Sequence, residues 1–428
     1  MKGKDANAGD LIKVKTAKEE IEGILIESYE SGVVLVKLSN GYNIGVSREN
    51  ILDIKVVKKA EKSEKKEAEF KLSHKKPIID LIMTGGTISS SLDVKTGGVK
   101  WLTSPAELFK FYPEIFELAD ICVINPFMKS SENMNSEDWI RIAKQVKKSL
   151  EDENVKGVIV THGTDFLHYS SAALSFFFPK PNKPIVLTYS QRSSDRGSSD
   201  AELNLYCSAK MALSDVAEVM LVGHANSSDD SCVALIGTKV RKMHSSRRDT
   251  FKPINSSPIA KITRSEIEIL QGDYNKRGKA NEKFDSDNFV FENKIALVKF
   301  YPGQSPEILE HYLSLGYRGV VIEMSGLGHV ITEGTNNWLP IIKKVVEKGM
   351  IVCAAAQTIY GRLDPLVYSP GRELEKAGVI YLKDMLSETA FVKLGRVLGK
   401  LKDKDEIKKF MLENISKEYN DRLGNEFI

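Results

Sequence analysis

From Pro77 onward the chain follows one repeated pattern: a continuous apolar run ends abruptly at glycine or a polar turn, and a helix-like stretch follows. PIIDLIM (77–83) leads into Gly85-Gly86, and VKGVIVTHG, KPIVLTYS, AEVMLVG and SCVALIG repeat the form. A strand with one wet face alternates apolar and polar residues. A strand apolar throughout needs cover on both faces, as in a parallel sheet between helices. SEDWIRIAKQVKKSLED and SSAALSFFF have the helical character that such cover requires. Alternating strand and helix predicts parallel pairing through crossovers. A polar stretch around Gln271–Asn288 interrupts the pattern. KIALVKF, GVVIEMSG and MIVCAAAQ then resume it, alternating with PEILEHYLSLG, TNNWLPIIKKVVEKG and SETAFVKLGRVLGKL. The expectation is two α/β domains, residues 77–285 and 286–428.

Upstream the period changes. LIKVKT, EGILIES, GVVLVKL and YNIGVS alternate apolar and polar residues between Asp10 and Val57, and Asn40-Gly41 signals a tight hairpin between the last two. Short strands in so small a span hide an apolar face by curling, which predicts a small β-barrel module over residues 1–58. Modules of this kind bind RNA or peptides, or serve as docking and spacer units. Residues 59–76 are almost entirely Lys, Glu, Ala and Ser and read as a solvated linker or exposed helix.

Composition excludes several classes. With 42% hydrophobic and 28% charged residues the chain is neither disordered nor fibrous. Lys+Arg 61 against Asp+Glu 58 leaves a net charge of +3, too little to argue for nucleic-acid binding from charge alone. Cys122, Cys207, Cys232 and Cys353 lie far apart, without metal spacing or a disulfide framework, which fits a reducing cytoplasm. MKGKDANAGDLIK has no apolar core like a signal peptide, and no run of about 18 apolar residues suggests a membrane partner.

In open α/β sheets ligands bind beyond the carboxyl ends of strands. Two polar clusters fall there: MTGGTISS (Met83–Ser90) and THGTDF (Thr161–Phe166). In the first, Gly85-Gly86 allows a sharp turn that exposes the Thr87 hydroxyl. Such a turn could instead cradle phosphate, but GxxxxGK[ST] and GxGxxG are both absent. The second offers the Thr164 hydroxyl beside the Asp165 carboxylate. A threonine needs a proton acceptor to act as nucleophile, and a buried lysine held by an acid can serve. Spacing alone does not choose that lysine, and either cluster read alone could simply be a turn.

TGGTI followed by THGTD, each after a buried strand, resembles the L-asparaginase family of amidohydrolases. The likeness runs from about Pro77 to the C-terminal helix. SENMN (Ser131–Asn135), SQRSSDRGSSD (Ser190–Asp200), VRKMHSSRRDTF (Val240–Phe251) and VYSPGRELEKAGVI (Val367–Ile380), with the N-terminal β module, are similar to the amide-donor subunits of archaeal tRNA-dependent amidotransferases. The fold this resemblance implies is α/β, two asparaginase-like domains with parallel sheets behind a small β-barrel module.

The resemblance also implies roles. Thr87 is the usual nucleophile. Thr164, Asp165 and Lys242 relay the proton, with either threonine open as the first to attack. Gly86 and Gly163 supply backbone N–H groups for the oxyanion, Ser131 donates to the substrate α-carboxylate, and Glu132 and Asp165 accept from its ammonium. Glu132 stands where free asparaginases carry Gln, a negative charge close to where asparagine's carboxylate would lie. Tyr368 and the GREL segment would complete the pocket across a dimer interface.

The implied partners are glutamine, Glu-tRNA(Gln) reached through the complex, and a kinase/transamidase partner, the E subunit, which uses ATP and Mg. This chain binds no cofactor of its own. A homodimer core within a heterotetramer is implied. The alternatives are a free cytoplasmic asparaginase or glutaminase and a non-catalytic RNA-binding scaffold. Arg241, Arg247 and Arg248 read either as tRNA-phosphate contacts or as a solvated charged face. Arg192 and Arg196 read as loop anchors or ligand groups, and Phe166 as a packing position. His162 and His329 lack a second histidine at ligand spacing and read as structural.

Overall fold

The computed structural model describes residues 6–26, 28, 32–39, 43–59, 75–92, 99–101, 105–194 and 198–423. The Asn40-Gly41 turn, most of the charged segment (60–74) and Arg196 lie outside the described residues. β1 (Leu11–Thr16), β2 (Glu20–Ile26), β3 (Val33–Lys37), β4 (Asn43–Ser47) and β5 (Ile51–Lys58) form an antiparallel sheet in the order β4-β3-β2-β1-β5. Period-2 alternation puts Ile12, Val14, Val34, Val36, Val46 and Ile51 into one small core. β5 adds to the four strands expected. Among the described residues no ladder joins β4 to β5, yet Val46 and Ile51 from these two outer strands meet in the same core, so the sheet curls on itself as expected.

The next domain opens with β6 (Ile78–Met83), followed by a short antiparallel pair, β7 (Ser90–Leu92) and β8 (Val99–Trp101), and by helices α1 (Pro105–Phe111) and α2 (Ile115–Leu118). Then come β9 (Asp120–Ile124), α3 (Ser136–Glu151), β10 (Val155–Thr161), α4 (Leu167–Phe177), β11 (Ile185–Thr188), α5 (Ala201–Leu213), β12 (Val219–His224) and β13 (Cys232–Ile236). A two-stranded ribbon follows, β14 (Val240–Lys242) with β15 (Phe251–Pro253), then β16 (Ala260–Ile262) and β17 (Ile267–Ile269). The eight-stranded sheet has the order β17-β16-β13-β12-β11-β10-β6-β9. From β12 to β9 it is parallel, and both faces are covered. Ile79, Leu81 and Met83 pack with α1, α2 and α5, whereas Ile82, Val158 and Val160 pack with α3 and α4.

SCVALIG, expected among the parallel strands, pairs antiparallel with β12. Only residues 225–231 join the two, too few for a crossover helix. Asn135 starts α3 with a capping box: its side chain accepts from the Glu137 and Asp138 amides, and Asp138 accepts from the Asn135 amide.

The last domain is a parallel sheet of β18 (Ile295–Lys299), β19 (Gly319–Met324), β20 (Ile351–Ala356) and β21 (Ile380–Tyr381) in sequential order. Helices α6 (Glu307–Ser314), α7 (Trp338–Glu347) and α8 (Ser369–Lys376) cover one face, and α9 (Ser387–Lys400) and α10 (Lys404–Leu412) the other. The two α/β domains meet through packing and polar contacts. Trp139 stacks edge-on against Phe291 at 5.3 Å, and Ser136 Oγ donates to Asn293 Oδ1 at 2.6 Å. Among the described residues no helix is long and apolar enough to cross a membrane.

Candidate active site

Four neighbouring parallel strands, β9, β6, β10 and β11, direct their carboxyl ends to one edge of the sheet, where an α/β sheet places its ligand. The loops leaving them surround a cleft of about 550 Å³, lined by Gly86, Thr87, Ser90, Ser130, Ser131, Glu132, Gly163, Thr164, Asp165, Gln191, Arg192 and Ser193. Both predicted hydroxyls, the predicted carboxylate and four of the five predicted substrate-binding residues therefore share one cavity.

Close backbone approach holds the loops together. Gly85 and Gly86 have φ of 124° and 83°, a region side chains avoid. A Cβ on Gly86 would lie 2.5 Å from the Gly163 amide nitrogen, and one on Gly163 would lie 2.9 Å from Ser131 Oγ. The β6 turn is further tied to β10 by Thr84 Oγ1, which donates to the Thr161 carbonyl at 2.7 Å, and by the Ser89–Thr161 hydroxyl pair at 2.8 Å. Thr87 opens a short 3-10 turn (Thr87–Ser89) directly after Gly86.

The THGTD turn hangs on a buried chain of hydrogen bonds. Trp139 Nε1 donates to Ser170 Oγ at 2.9 Å, and Ser170 bonds His162 Nε2 at 2.8 Å. His162 Nδ1 contacts the Gly163 carbonyl at 2.7 Å. Burial pulls the His162 pKa down to about 4, so the ring is neutral and donates from one nitrogen while accepting at the other. His162 thus ties the turn to the helices behind it.

Lys242, on β14 outside the main sheet, is not among the residues that line the cleft, but it reaches two that are. Its Nζ donates to Thr164 Oγ1 at 2.8 Å and to Asp165 Oδ1 at 2.7 Å. The lysine side chain is 12% exposed and the aspartate 61% exposed, so the amine is largely buried and its carboxylate partner faces solvent. Opposite, buried Asp200 accepts from the Gln191 and Arg192 amides and fixes the β11 loop; burial raises its carboxyl pKa, and those amides oppose the rise. Arg192 lines the cleft and also bonds Ser198, which anchors it within its own loop. Gln191 and Ser193 join the lining unexpectedly, although their place after a buried strand was a usable signal.

Other residues singled out by the sequence lie outside the cleft lining. Tyr368 does not line the cleft of this chain: it precedes α8, is 57% exposed, and meets the His329 ring edge-on at 5.4 Å. Three arginines are matched by carboxylates: Arg241 by Glu388 at 3.1 Å, Arg247 by Asp249 at 2.9 Å and Arg248 by Asp229 at 2.6 Å. Phe166 stacks on Tyr169 at 5.6 Å yet remains 43% exposed beside Asp165. All four cysteines are free.

Known proteins share this fold. The asparaginase N-terminal family covers residues 78–274, the glutaminase/asparaginase C-terminal domain residues 294–411, and the GatD N-terminal domain residues 6–57. A thermostable L-asparaginase from Thermococcus kodakarensis superposes with a TM-score of 0.72 at 29% identity, over 81% of this chain and all of that one. Fold and site thus define an amidohydrolase of the asparaginase type.

At full length the likeness is narrower. The D subunit of glutamyl-tRNA(Gln) amidotransferase from Thermococcus kodakarensis is 46% identical over 96% of this chain and 94% of its own. The same protein of Methanothermobacter thermautotrophicus is 40% identical over 98% and 95%. The chain belongs to the family of glutamyl-tRNA(Gln) amidotransferase D subunits.

Proposed function

We propose that this chain is the glutaminase subunit of a tRNA-dependent amidotransferase. The observation that carries the reading is Lys242 Nζ donating to both Thr164 Oγ1 and Asp165 Oδ1, two residues that line the same cleft as Thr87. Thr87 Oγ attacks the side-chain amide carbon of glutamine, its proton passes to the departing nitrogen, and ammonia leaves an ester. Thr164, Lys242 and Asp165 take a proton from water as it attacks that ester, which frees glutamate and restores Thr87. Gly86 and Gly163 carry the backbone N–H groups suited to the oxyanion. Ser131 binds the α-carboxylate, and Glu132 and Asp165 receive the α-ammonium.

Ammonia then passes to a partner subunit, the E subunit, which uses ATP and Mg to activate Glu-tRNA(Gln) and aminates it. This chain binds neither ATP nor Mg. A homodimer core inside a heterotetramer, acting in the cytoplasm, completes the proposal. Full-length likeness to the D subunits, including the β module, supports the amide-donor role over a free asparaginase. The test is ammonia release from glutamine and asparagine by the purified chain, alone and with partner and Glu-tRNA(Gln). Glutamine turnover that requires partner and acylated tRNA is expected. Robust asparagine turnover by the lone chain would replace this reading with a free asparaginase. A Thr87→Ala variant as active as wild type would remove the enzyme assignment.

A further inference from the structure

We infer that Glu388, at the start of α9 in the last domain, is a positioning residue for the catalytic lysine and acts through Arg241. The inference rests on the glutaminase reading above.

β14 is only three residues long and, among the described residues, pairs with one other strand, β15. So short a ribbon gives the Lys242 backbone few ladder hydrogen bonds. In an extended strand successive side chains leave on opposite sides. Lys242 accordingly points to Thr164 and Asp165, and Arg241 points away, to Glu388, with Nε 3.1 Å from Oε1. Glu388 is 6% exposed overall, deep enough that solvent screens the contact little. Its neighbour Ser387 lies 3.2 Å from Glu388 Oε2 and also donates to Glu323 Oε1 at 2.6 Å, at the carboxyl end of β19.

The residues just before the strand show the same direction of anchoring. Lys239, two residues ahead of Arg241, meets Asp384 at 2.5 Å, and Thr389 Oγ1 donates to the Thr238 carbonyl at 2.8 Å. Asp384, Glu388 and Thr389 all belong to the segment that starts α9. Three successive contacts from the last domain thus hold the strand from behind, and the Glu388 contact is immediately next to Lys242. Glu388 Oε1 is also 3.9 Å from His168 Nε2, on the helix that begins just after Asp165. One buried carboxylate therefore touches both elements that must stay in register for the relay to form: the lysine strand and the helix following the THGTD turn.

The consequence is kinetic. Glu388 touches no substrate, so its loss should leave binding intact and misplace the ammonium. Geometry errors of about 1 Å in a catalytic group cost up to ~10² in rate. The test uses the complete complex with partner and Glu-tRNA(Gln), with Glu388→Gln, Arg241→Gln and the double variant. Each single variant should lower kcat for glutamine by about tenfold or more, with KM within about twofold. The double variant should be no worse than either single, because both changes remove one contact.

A Glu388→Gln enzyme with wild-type kcat overturns the inference, as does a change confined to KM or a loss in the double variant that equals the product of the two singles. A fall in kcat accompanied by a matching loss of folded protein, read as the thermal midpoint, assigns Glu388 a merely structural role and also overturns it. If the wild-type complex itself does not release ammonia from glutamine, the underlying reading fails instead, so the two failures are told apart.

Discussion

Replacing Lys242 with methionine keeps most of the unbranched apolar stem and removes the charge and the proton. The native ammonium makes two hydrogen bonds, 2.8 Å to Thr164 and 2.7 Å to Asp165. General acid–base groups contribute roughly 10²–10⁴ in rate, which at about 1.4 kcal/mol per decade is about 2.7–5.5 kcal/mol of barrier. The fold should barely notice. Asp165 is 61% exposed, so solvent screens the pair and its worth to stability is about 1 kcal/mol at most. In a domain of this size that moves the thermal midpoint by no more than about 4 °C. Ammonia release by the assembled complex, beside a melting curve, reads both quantities. Lys242→Arg sharpens the test, because a guanidinium can keep the ion pair but does not give up its proton. It should remain as impaired as the methionine variant. Recovery with arginine, or near-normal turnover with methionine, would refute the proton relay.

Other perturbations follow from the same geometry. Gly86→Ala places a Cβ 2.5 Å from the Gly163 amide at φ of 83°, so it should abolish turnover and cost on the order of 1–3 kcal/mol of stability by denaturant unfolding; a fully active variant would disprove the contact. Lys239→Met strands the buried Asp384 carboxylate and should cost about 3–5 kcal/mol in the same measurement, and a cost below about 1 kcal/mol would contradict it. Burial pulls His162 and His168 from 6.5 down to about 4 and about 3, Arg241 and Lys242 adding to the effect at His168. Between those values and 6.5 the unfolded chain binds protons that the folded chain does not. Stability therefore falls as pH drops below 6.5, at about 1.4 kcal/mol per pH unit for each histidine. Denaturant unfolding from pH 7 to 4.5 should show a shallower decline for His168→Gln than for wild type; equal slopes would count against a neutral buried ring.

What could be read from the sequence divides along physical lines. PIIDLIM and VKGVIVT were legible because a strand covered on both faces has no polar alternation to confuse the pattern. β9 was not: it is an edge strand of only five residues, DICVI, and its last three are half-buried rather than covered on both faces. The direction of β13 turned on the brevity of 225–231, a matter of connection length that apolar content does not report. Within the site, Thr87 and Thr164 stood out by their places at strand ends. Lys242 came only from resemblance, since it arrives on a separate ribbon 78 residues beyond Thr164. Arg241 was ambiguous for a similar reason: Glu388 lies far along the chain in another domain, so nothing local marks the charge as already matched.

The close glycine contact between the TGGTI and THGTD turns limits how such a cleft can diversify. Where one main chain rests on another with no side chain between, the spacing of Thr87 and Thr164 has no adjustable shim. On the proposed glutaminase reading, preference among amide substrates would be set by other lining residues, Glu132, Arg192 and Ser193, whose side chains can lengthen, shorten or change sign without disturbing the Thr87 and Thr164 hydroxyls. Variation among relatives that process different amides should therefore gather at those positions, leaving the two turns alike.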